Sequence, residues 1–309
     1  MAQEVFVTGV SGCVGHYLFD ELAADDRYHL HLLVRDPARL RFSPFGRPNV
    51  TVHTGDLLDL ERHAEVIGRM DHLIHVAAAW GEAISYEVNY RLAHRLFALA
   101  DPARVRRLVY FGTASVLDSE NRLLPAAEVH GTDYIKSKYL CVRDWPQHPL
   151  YDRIVTVCPT LIFGGSPRHP VSHLSSGLPG LGRWLAIARH LSLDGSLHVI
   201  HARDIARIVH HLLDHEPTDR LLVLGNDPMT VDELIDELCE AFGRTRGARF
   251  DLTPHLGLIE RLAGSRMNTW DRYSLRHRHF RYRAVGPGAF GLPTDLSTVS
   301  AIVRERLAV

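Results

Sequence analysis

A tyrosine and a lysine stand four residues apart in the segment DYIKSKYL, at Tyr134 and Lys138. On an α-helix this spacing places both side chains on one face. A cation beside a phenol favours the phenolate and lowers a pKa that is ordinarily about 10. A tyrosine tuned in this way can exchange a proton with a substrate oxygen near neutral pH. Because such pairs also occur by chance on ordinary helices, the interpretation needs support from elsewhere in the chain.

A hydroxyl group supplies that support. Thr113 comes just after the apolar run Leu108–Phe111, at the carboxyl end of a predicted strand, where open α/β sheets bind their ligands. Its side chain is expected to bond the same substrate oxygen as Tyr134. We therefore predict a catalytic group composed of Thr113, Tyr134 and Lys138.

Three glycines follow the first apolar run, in the segment TGVSGCVG. When such a segment joins a strand to a helix, its glycines allow a tight turn, a close approach of a pyrophosphate, and close packing of the helix. The phosphates then lie at the positive end of the helix. The segment therefore predicts a dinucleotide site that includes Gly9, Gly12, Cys13, Val14 and Gly15.

The residue after the second predicted strand, Arg35, indicates which dinucleotide binds. Proteins that bind NAD place an acidic residue here, which bonds the ribose 2′-hydroxyl, whereas a guanidinium suits a 2′-phosphate. Asp36 follows, but Asp36 and Pro37 also form a favourable N-cap and first residue for a short helix. We therefore predict NADP(H) as the cofactor, with NAD as the alternative.

Apolar runs and amphipathic segments alternate along the first 160 residues, a pattern typical of a parallel sheet covered on both faces. The sequence therefore predicts an α/β protein with a doubly wound parallel sheet and a smaller C-terminal substrate-binding region. We assign residues 1–162 and 198–225 to the nucleotide-binding domain, and residues 163–197 and 226–309 to the substrate region. The predicted strands are Val5–Thr8, Leu30–Val34, Val50–Thr54, Leu73–Ala77, Leu108–Phe111, Ile154–Val157 and Leu221–Leu224. The predicted helices include His16–Ala24, Leu60–Ile67, Val88–Ala100, Asp133–Arg143 and Asp204–Leu213.

The composition is that of an ordinary globular protein, with 46% hydrophobic residues, 23% charged residues and a formal net charge of -1 among 309 residues. This charge favours neither nucleic acid nor an anionic membrane as a partner. We expect no membrane span, no signal peptide and a cytoplasmic location. The four cysteines are widely separated, which favours a reducing compartment. The 21 histidines form neither HExxH nor a Cys/His zinc pattern, so no metal site is predicted.

Taken in order, the motifs resemble those of the extended short-chain dehydrogenase/reductase family, which includes sugar-nucleotide epimerases, hydroxysteroid dehydrogenases and dihydroflavonol reductases. The resemblance covers nearly the whole chain and is nearest to the dihydroflavonol-reductase and hydroxysteroid-dehydrogenase branch. It implies a Rossmann fold and a homodimer. The motifs that carry it are TGVSGCVG, GDLLD, HVAAAW, EVNYRLAHRLF, VYFGTASVLD, YIKSK, CPTLIFGG and VIHARDIAR.

The resemblance also implies roles for the matched residues. Tyr134 is the general acid/base, Lys138 bonds the nicotinamide ribose and tunes Tyr134, and Thr113 takes the place of the catalytic serine. Asp56 bonds the adenine amino group, and Arg35 selects NADP. Further expected cofactor contacts are Leu57, Ala77, Ala78 and Pro159. The expected substrate contacts are Trp80, Ser115, Tyr134 and Phe163.

Departures from the family pattern narrow the chemistry. Ala114 and Ser115 replace the Asp-Glu pair of the dehydratases, and Ser196 and Leu197 stand near the place where sugar-nucleotide enzymes carry an arginine. We therefore predict an NADP(H)-dependent oxidoreductase that acts on the carbonyl or secondary alcohol of a small, fairly apolar molecule. A nucleotide-sugar epimerase with tightly bound NAD is the alternative. A non-catalytic NADP-sensing protein is less favoured, because such proteins commonly lack the Tyr/Lys pair.

Overall fold

The structure is a computed structural model that describes residues 2–177, 184–294 and 296–307. Its strands are β1 (Gln3–Thr8), β2 (Tyr28–Val34), β3 (Val50–Thr54), β4 (His72–His75), β5 (Arg107–Phe111), β6 (Ile154–Pro159), β7 (Leu161–Phe163), β8 (Leu191–Ser192), β9 (Ser196–Leu197), β10 (Val199–His201), β11 (Leu221–Leu224), β12 (Met229–Thr230), β13 (Phe250–Asp251) and β14 (Ala284–Val285).

The described α-helices range from single turns to about three turns. They are α1 (Cys13–Ala23), α2 (Ala64–Ile67), α3 (Glu82–Tyr86), α4 (Leu92–Ala98), α5 (Pro125–His130), α6 (Asp133–Asp144), α7 (His173–Ser176), α8 (184–188), α9 (Ala202–Asp214), α10 (Val231–Ala241), α11 (Leu256–Ala263), α12 (Thr269–Arg276) and α13 (Val299–Leu307). Within the described ranges, none of these helices has both the length and the apolar character needed to cross a bilayer.

One sheet of eight strands, in the order β14-β11-β6-β5-β4-β1-β2-β3, forms the centre of the fold. All neighbouring pairs in it are parallel. Every residue of β4, β5 and β6 is buried, as expected for central parallel strands covered on both faces. The predicted α/β class and doubly wound sheet are confirmed.

The alternation of side chains along β1 creates two cores. Val5 and Val7 face one side, where they pack with the buried stripes of α1 and α9. Phe6 faces the other side, where the core includes residues of α4 and α6. The two faces of each strand therefore hold helices on opposite sides of the sheet, which is the arrangement that parallel crossover connections require.

A third, smaller core lies in the C-terminal region. It contains Phe163, Val199 and Leu238 together with three apolar residues of α13, Val299, Ile302 and Val303. The edge strand β14 comes from this late part of the chain, yet it pairs with β11 of the main sheet through Val223 and Leu224. Residues 226–309 thus contribute to both regions of the molecule.

Three predicted elements differ locally from the structure. The strand predicted as Leu73–Ala77 ends at His75, because the backbone of Ala79 turns away to bond the side chain of Asn89. The predicted helix Val88–Ala100 begins with a π-helical turn, Glu87–Arg91, before α4 starts. The first half of the segment predicted as Leu60–Ile67 belongs to a 3-10 helix, Leu57–His63, which the Asp56 carboxylate caps through the Leu58 amide, and the second half is α2.

The first loop brings two backbone segments unusually close together. Gly9 has φ of +79°, and a Cβ built there would lie 2.4 Å from the backbone nitrogen of Ala77. A Cβ built on Gly15 would lie 2.4 Å from the carbonyl oxygen of Gly9. Gly9 therefore satisfies both a left-handed backbone and a close contact, and Gly15 lets α1 begin directly against the loop.

We expect Gly9→Ala to destabilise the fold by more than about 2 kcal/mol, because the new methyl group meets backbone atoms and the left-handed conformation adds strain. Gly257→Ala is the matched control, since a Cβ there meets no atom within 4 Å and its helix α11 should gain about 0.5–1 kcal/mol. Urea unfolding measures both. Equal stability of the two variants would contradict the close approach at Gly9.

Candidate active site

The amino terminus of α1 lies at the carboxyl edge of the sheet and is open to an anion. Its N-cap is Gly12, without a side-chain cap, and its first turn contains no acidic residue. The Gly12 amide donates to the carbonyl of Gly9 at 3.1 Å and so closes the turn. Free amides and the helix dipole at this end suit a pyrophosphate. The glycine loop thus fits the dinucleotide that the sequence predicts.

A histidine that the sequence analysis did not single out holds this loop in place. Nδ1 of His16 bonds the carbonyl of Gly12 at 2.9 Å, and its Nε2 accepts the amide of Arg41 at 3.1 Å. Burial lowers the pKa of His16, which favours the neutral ring. A neutral imidazole can donate through Nδ1 and accept through Nε2. The contact joins α1 to the segment after β2, and no local pattern reveals it because its partners are far apart in sequence.

Arg35 and Asp56 meet at the ends of β2 and β3. Nη1 of Arg35 lies 3.7 Å from Oδ2 of Asp56, and the Arg35 side chain is 66% exposed. Asp36 accepts the amide of Ala38 at 3.0 Å and caps a short 3-10 turn. The local role predicted for Asp36 is therefore confirmed. Arg35 remains available to a ligand at this edge, where the carboxylate of Asp56 holds it loosely.

Tyr134 and Thr113 come together at the carboxyl end of β5. Thr113 caps the short turn Ala114–Val116, and its side chain is near enough to that of Tyr134 to favour the phenolate and so lower the pKa of Tyr134. Burial nevertheless raises the pKa of Tyr134 well above its usual value, and the nearby Cys158 adds to the rise. The sequence predicted a lowered pKa. The difference arises because desolvation of the phenolate outweighs the opposite effect of the neighbouring Thr113 on the pKa of Tyr134.

Lys138 shares the helix face of Tyr134 but directs its charge elsewhere. Its side chain is 1% exposed, Nζ donates to the carbonyl of Phe111 at 2.6 Å, and it lies 4.7 Å from the centre of the Tyr110 ring. Burial lowers the pKa of Lys138 to about 8. The carbonyl and the ring partly compensate a cation that is removed from water.

Asn89 connects the segment that follows β4 to α6, the helix that carries Tyr134 and Lys138. Its side-chain amide donates to the carbonyl of Ala79 at 3.0 Å and to Oγ of Ser137 at 3.1 Å, and its oxygen accepts the Ala79 amide at 2.9 Å. Oγ of Ser137 in turn donates to the carbonyl of Tyr134 at 2.8 Å. Because Asn89 lies in the π-helical turn, this irregularity aims a buried amide at the site.

An aromatic stack covers Tyr134. The Trp80 ring lies nearly parallel to the Tyr134 ring, with centroids 3.8 Å apart and an angle of 10° between the planes. The ring of His173, on α7, has its centroid 5.8 Å from that of Trp80. Trp80 is 65% exposed. The indole therefore forms one wall beside the phenol and leaves its own edge and outer surface to solvent.

The remaining predicted contacts divide into two groups. Ala77 lies against Gly9, Ala78 is exposed, and Ser115 donates its amide to Oγ1 of Thr113 at 3.4 Å. These residues are thus at the same edge as Tyr134. The other group is buried. It consists of Leu57 beneath the Asp56 cap, Val14 in the first core, Pro159 at the end of β6, and Phe163, which is 3% exposed and packs in the third core.

Cys13 occupies the first residue of α1. Burial raises the pKa of its thiol to about 12, so this cysteine is a packing residue at neutral pH. A Cβ built on Gly164 would lie 2.9 Å from the Cys13 sulfur. All four cysteines are free. From the sequence we also expect residues 164–182, a segment rich in Gly, Pro and Ser, to line the substrate pocket; residues 178–182 of it lie outside the residues that the structure describes.

The arginines of the C-terminal tail already have protein partners. Arg276 pairs with Glu260, Arg278 with Asp194, and Arg283 with Glu120. The fourth, Arg281, donates through Nε to Oγ of Ser196 at 2.9 Å. For these arginines the sequence leaves two roles open, binding of an anionic group or a solvated basic face, and favours the second. Carboxylates pair with three of the four.

The glycine loop at the amino terminus of α1 and the Thr113 turn that follows β5 lie at the same edge of the parallel sheet, the edge at which doubly wound α/β proteins bind their ligands. The profile of the NAD dependent epimerase/dehydratase family matches residues 5–225. The chain belongs to this family. A comparison with curated protein sequences finds no match.

Solved structures share the fold over nearly the whole chain. The structure of gox2253 is 17% identical, with a TM-score of 0.72, and the match covers 99% of this chain and 97% of that one. The UDP-N-acetylglucosamine 4-epimerase from Methanobrevibacter ruminantium M1 is 16% identical, with a TM-score of 0.68 and coverage of 99% and 97%. The dTDP-glucose 4,6-dehydratase from Bacillus anthracis, in complex with NAD, is 16% identical, with a TM-score of 0.66 and coverage of 99% and 96%. At these identities the likeness concerns the fold.

The buried lysine should leave a signature in the pH dependence of stability. Between about pH 8, the pKa of Lys138 in the folded chain, and 10.5, its usual value, the unfolded chain binds more protons, so stability rises with pH. We expect the wild type to gain about 2 kcal/mol relative to Lys138→Met between pH 7 and pH 9.5. Urea unfolding at both pH values measures this difference. Lys136→Met on the same helix is the control and should track the wild type; equal gains in all three proteins would contradict the burial of the charge.

Proposed function

We propose that the protein is an NADP(H)-dependent oxidoreductase that interconverts a carbonyl group and a secondary alcohol on a small, fairly apolar substrate. The observation that carries the proposal is the placement of the Tyr134 phenol beside the Thr113 hydroxyl, at the sheet edge that also holds the open terminus of α1. Because the chain belongs to a family of NAD-dependent enzymes, we expect a nicotinamide cofactor to bind at this edge of the sheet.

The residues at this edge have the chemistry that a dinucleotide requires. The amides after Gly12 suit the pyrophosphate, the carboxylate of Asp56 suits the adenine amino group, and Arg35 suits a 2′-phosphate. Lys138 would bond the nicotinamide ribose, with Pro159 beside it at the end of β6. When bound, the nicotinamide supplies the hydride that adds to a carbonyl carbon, or accepts a hydride from an alcohol carbon.

The protein's own part in the reaction is the transfer of one proton. The raised pKa keeps Tyr134 protonated at neutral pH, so its O–H can donate to the carbonyl oxygen as the C–H bond forms. Thr113 donates a hydrogen bond to the same oxygen and orients it. In the reverse direction the tyrosinate takes the proton of the alcohol.

The wall beside Tyr134 supports an apolar substrate. Trp80 lies parallel to the phenol ring, and His173 extends the aromatic surface. A flat apolar group can lie along this surface while its carbonyl reaches Tyr134 and Thr113. Ser115, at the same strand end, is the nearest polar group that we assign to the substrate.

A nucleotide-sugar epimerase is a second candidate, favoured by one contact. Arg281 donates to Ser196, which brings a guanidinium to the segment where sugar-nucleotide enzymes carry their arginine. The tail thereby supplies a positive group that β9 lacks in its own sequence. In this candidate Tyr134 and Lys138 keep their roles, but the cofactor is oxidised and reduced within one turnover.

We expect Tyr134→Phe to lower kcat/KM by about 10²–10⁴, the usual contribution of a general acid/base, and to change the Kd for NADPH by less than about twofold. NADPH oxidation with a panel of ketones and aldehydes measures turnover, and fluorescence titration measures binding. Tyr139→Phe, on the same helix, is the control and should retain activity. Full activity of Tyr134→Phe would refute the mechanism.

We expect Arg35→Ala to weaken NADPH binding at least tenfold, or about 1.4 kcal/mol, and to leave NADH binding unchanged, because only the 2′-phosphate loses a partner. Arg69→Ala is the control, since that side chain is 70% exposed and lies away from the carboxyl edge. Fluorescence titrations of the wild type and the two variants with NADPH and with NADH measure these changes in affinity. NAD that is retained through purification, together with no preference for NADPH in the wild type, would favour the epimerase.

A further inference from the structure

A group of metal-ligating side chains lies at the opposite edge of the sheet, at the amino ends of the first two strands. Glu4 of β1 stands directly across from His29 of β2 in the parallel register, and His31 follows two residues later on the same face. One oxygen of Glu4 and one ring nitrogen of each histidine all lie within 4.8 Å of one another. All three residues are partly buried.

Neighbouring side chains hold both rings in position. The Nδ1 of His31 is 2.9 Å from Nε2 of His53, and Nε2 of His29 is 2.9 Å from the hydroxyl of Thr51. The three rings form a row, with centroids 5.0 Å apart for His29 and His31 and 5.2 Å apart for His31 and His53. Metal-binding histidines characteristically have such partners on the nitrogen that does not face the metal.

The charge and exposure of the group also suit a cation. Glu4 brings a carboxylate, which lies 2.7 Å from Nε2 of His31, and the two side chains are 30% and 15% exposed. The Glu4 backbone amide donates to the carboxylate of Asp71 at 2.8 Å, which keeps this stretch of β1 in register. A partly buried carboxylate beside two imidazoles is a set of ligands typical of zinc and related divalent ions.

We propose that Glu4, His29 and His31 form a binding site for one divalent transition-metal ion, with zinc the best match, in which water completes the coordination. The ion would replace the direct contact between Glu4 and His31 and would connect β1 to β2 through metal–ligand bonds of about 2.0–2.2 Å. The site is structural, because it lies at the amino ends of the strands, away from the residues assigned to hydride and proton transfer.

The chain offers a natural internal comparison. His211 and His215 lie one turn apart at the end of α9, with their rings stacked 3.9 Å apart. A pair of this kind supplies two nitrogens without a carboxylate and binds divalent metals weakly. Metal binding by His211 and His215 must therefore be distinguished from binding at the proposed site. A variant that lacks both of these imidazoles is the matched control.

The test uses the full chain without a histidine tag, stripped with EDTA and desalted. Calorimetric titration with Zn²⁺ should show one tight site in the wild type and in the His211→Gln/His215→Gln double variant. In His31→Gln and in Glu4→Gln we expect zinc affinity at least tenfold lower. The thermal midpoint should rise with zinc in the first two proteins and not in the other two.

Co²⁺ supplies a second readout, which can be measured on the wild type alone and so does not require a variant to fold. Bound at the proposed site in the wild type and in the double variant, Co²⁺ should show the intense visible absorption of a four-coordinate ion, and one equivalent of Zn²⁺ should displace it. The proposal is wrong if that absorption is missing from the wild type. It is equally wrong if zinc affinity survives in Glu4→Gln and His31→Gln, or disappears in the double variant.

Discussion

The close contact between the first loop and the exit of β4 is the constraint on which the site depends. Gly9 approaches the Ala77 backbone so closely that no other residue fits without a shift, and Gly15 brings α1 against the same loop. This contact sets where the amino terminus of α1 points relative to the ends of β4 and β5. The amides that we propose to bind phosphate and the side chains that we propose to be catalytic can therefore share one edge of the sheet. The bond of His16 to Gly12 and Arg41 extends this arrangement to the segment that carries Arg35 and its neighbours.

Tyr134 and Lys138, which we propose to act in catalysis, are buried in surroundings that disfavour their charged forms. Burial raises the pKa of Tyr134 and lowers the pKa of Lys138, so both groups are driven toward their neutral forms. The carbonyl of Phe111 and the ring of Tyr110 partly compensate the lysine. A buried ionisable pair of this kind is expected to be less stable than an apolar core of the same shape, and the proposed proton transfer would explain why the chain retains it. The same desolvation raises the pKa of Tyr134 and so keeps the phenol protonated at neutral pH.

The two ends of the sheet have different roles because parallel strands are directional. At the carboxyl ends the chain leaves the strands through loops, and these loops supply Trp80, Thr113 and the glycine turn. At the amino ends, side chains that are distant in sequence stand side by side through the register alone, as Glu4, His29 and His31 do. A sheet of this kind thus offers a second place where a site can form, and strand register rather than loop length determines its members.

The sequence by itself determined what depends on neighbours along the chain: the alternation of strands and helices, the glycine loop, the Asp36 cap and the position of Tyr134 and Lys138 on one helix. These features follow from side-chain periodicity, backbone freedom and short-range hydrogen bonds. Only the tertiary structure decided the rest. Lys138 bonds Phe111 instead of facing the phenol, Trp80 stacks on Tyr134, Phe163 enters a core, and three histidines on two strands form a row. Each of these outcomes depends on distances between segments that are far apart in sequence and on the exclusion of water from their contacts, which packing alone sets.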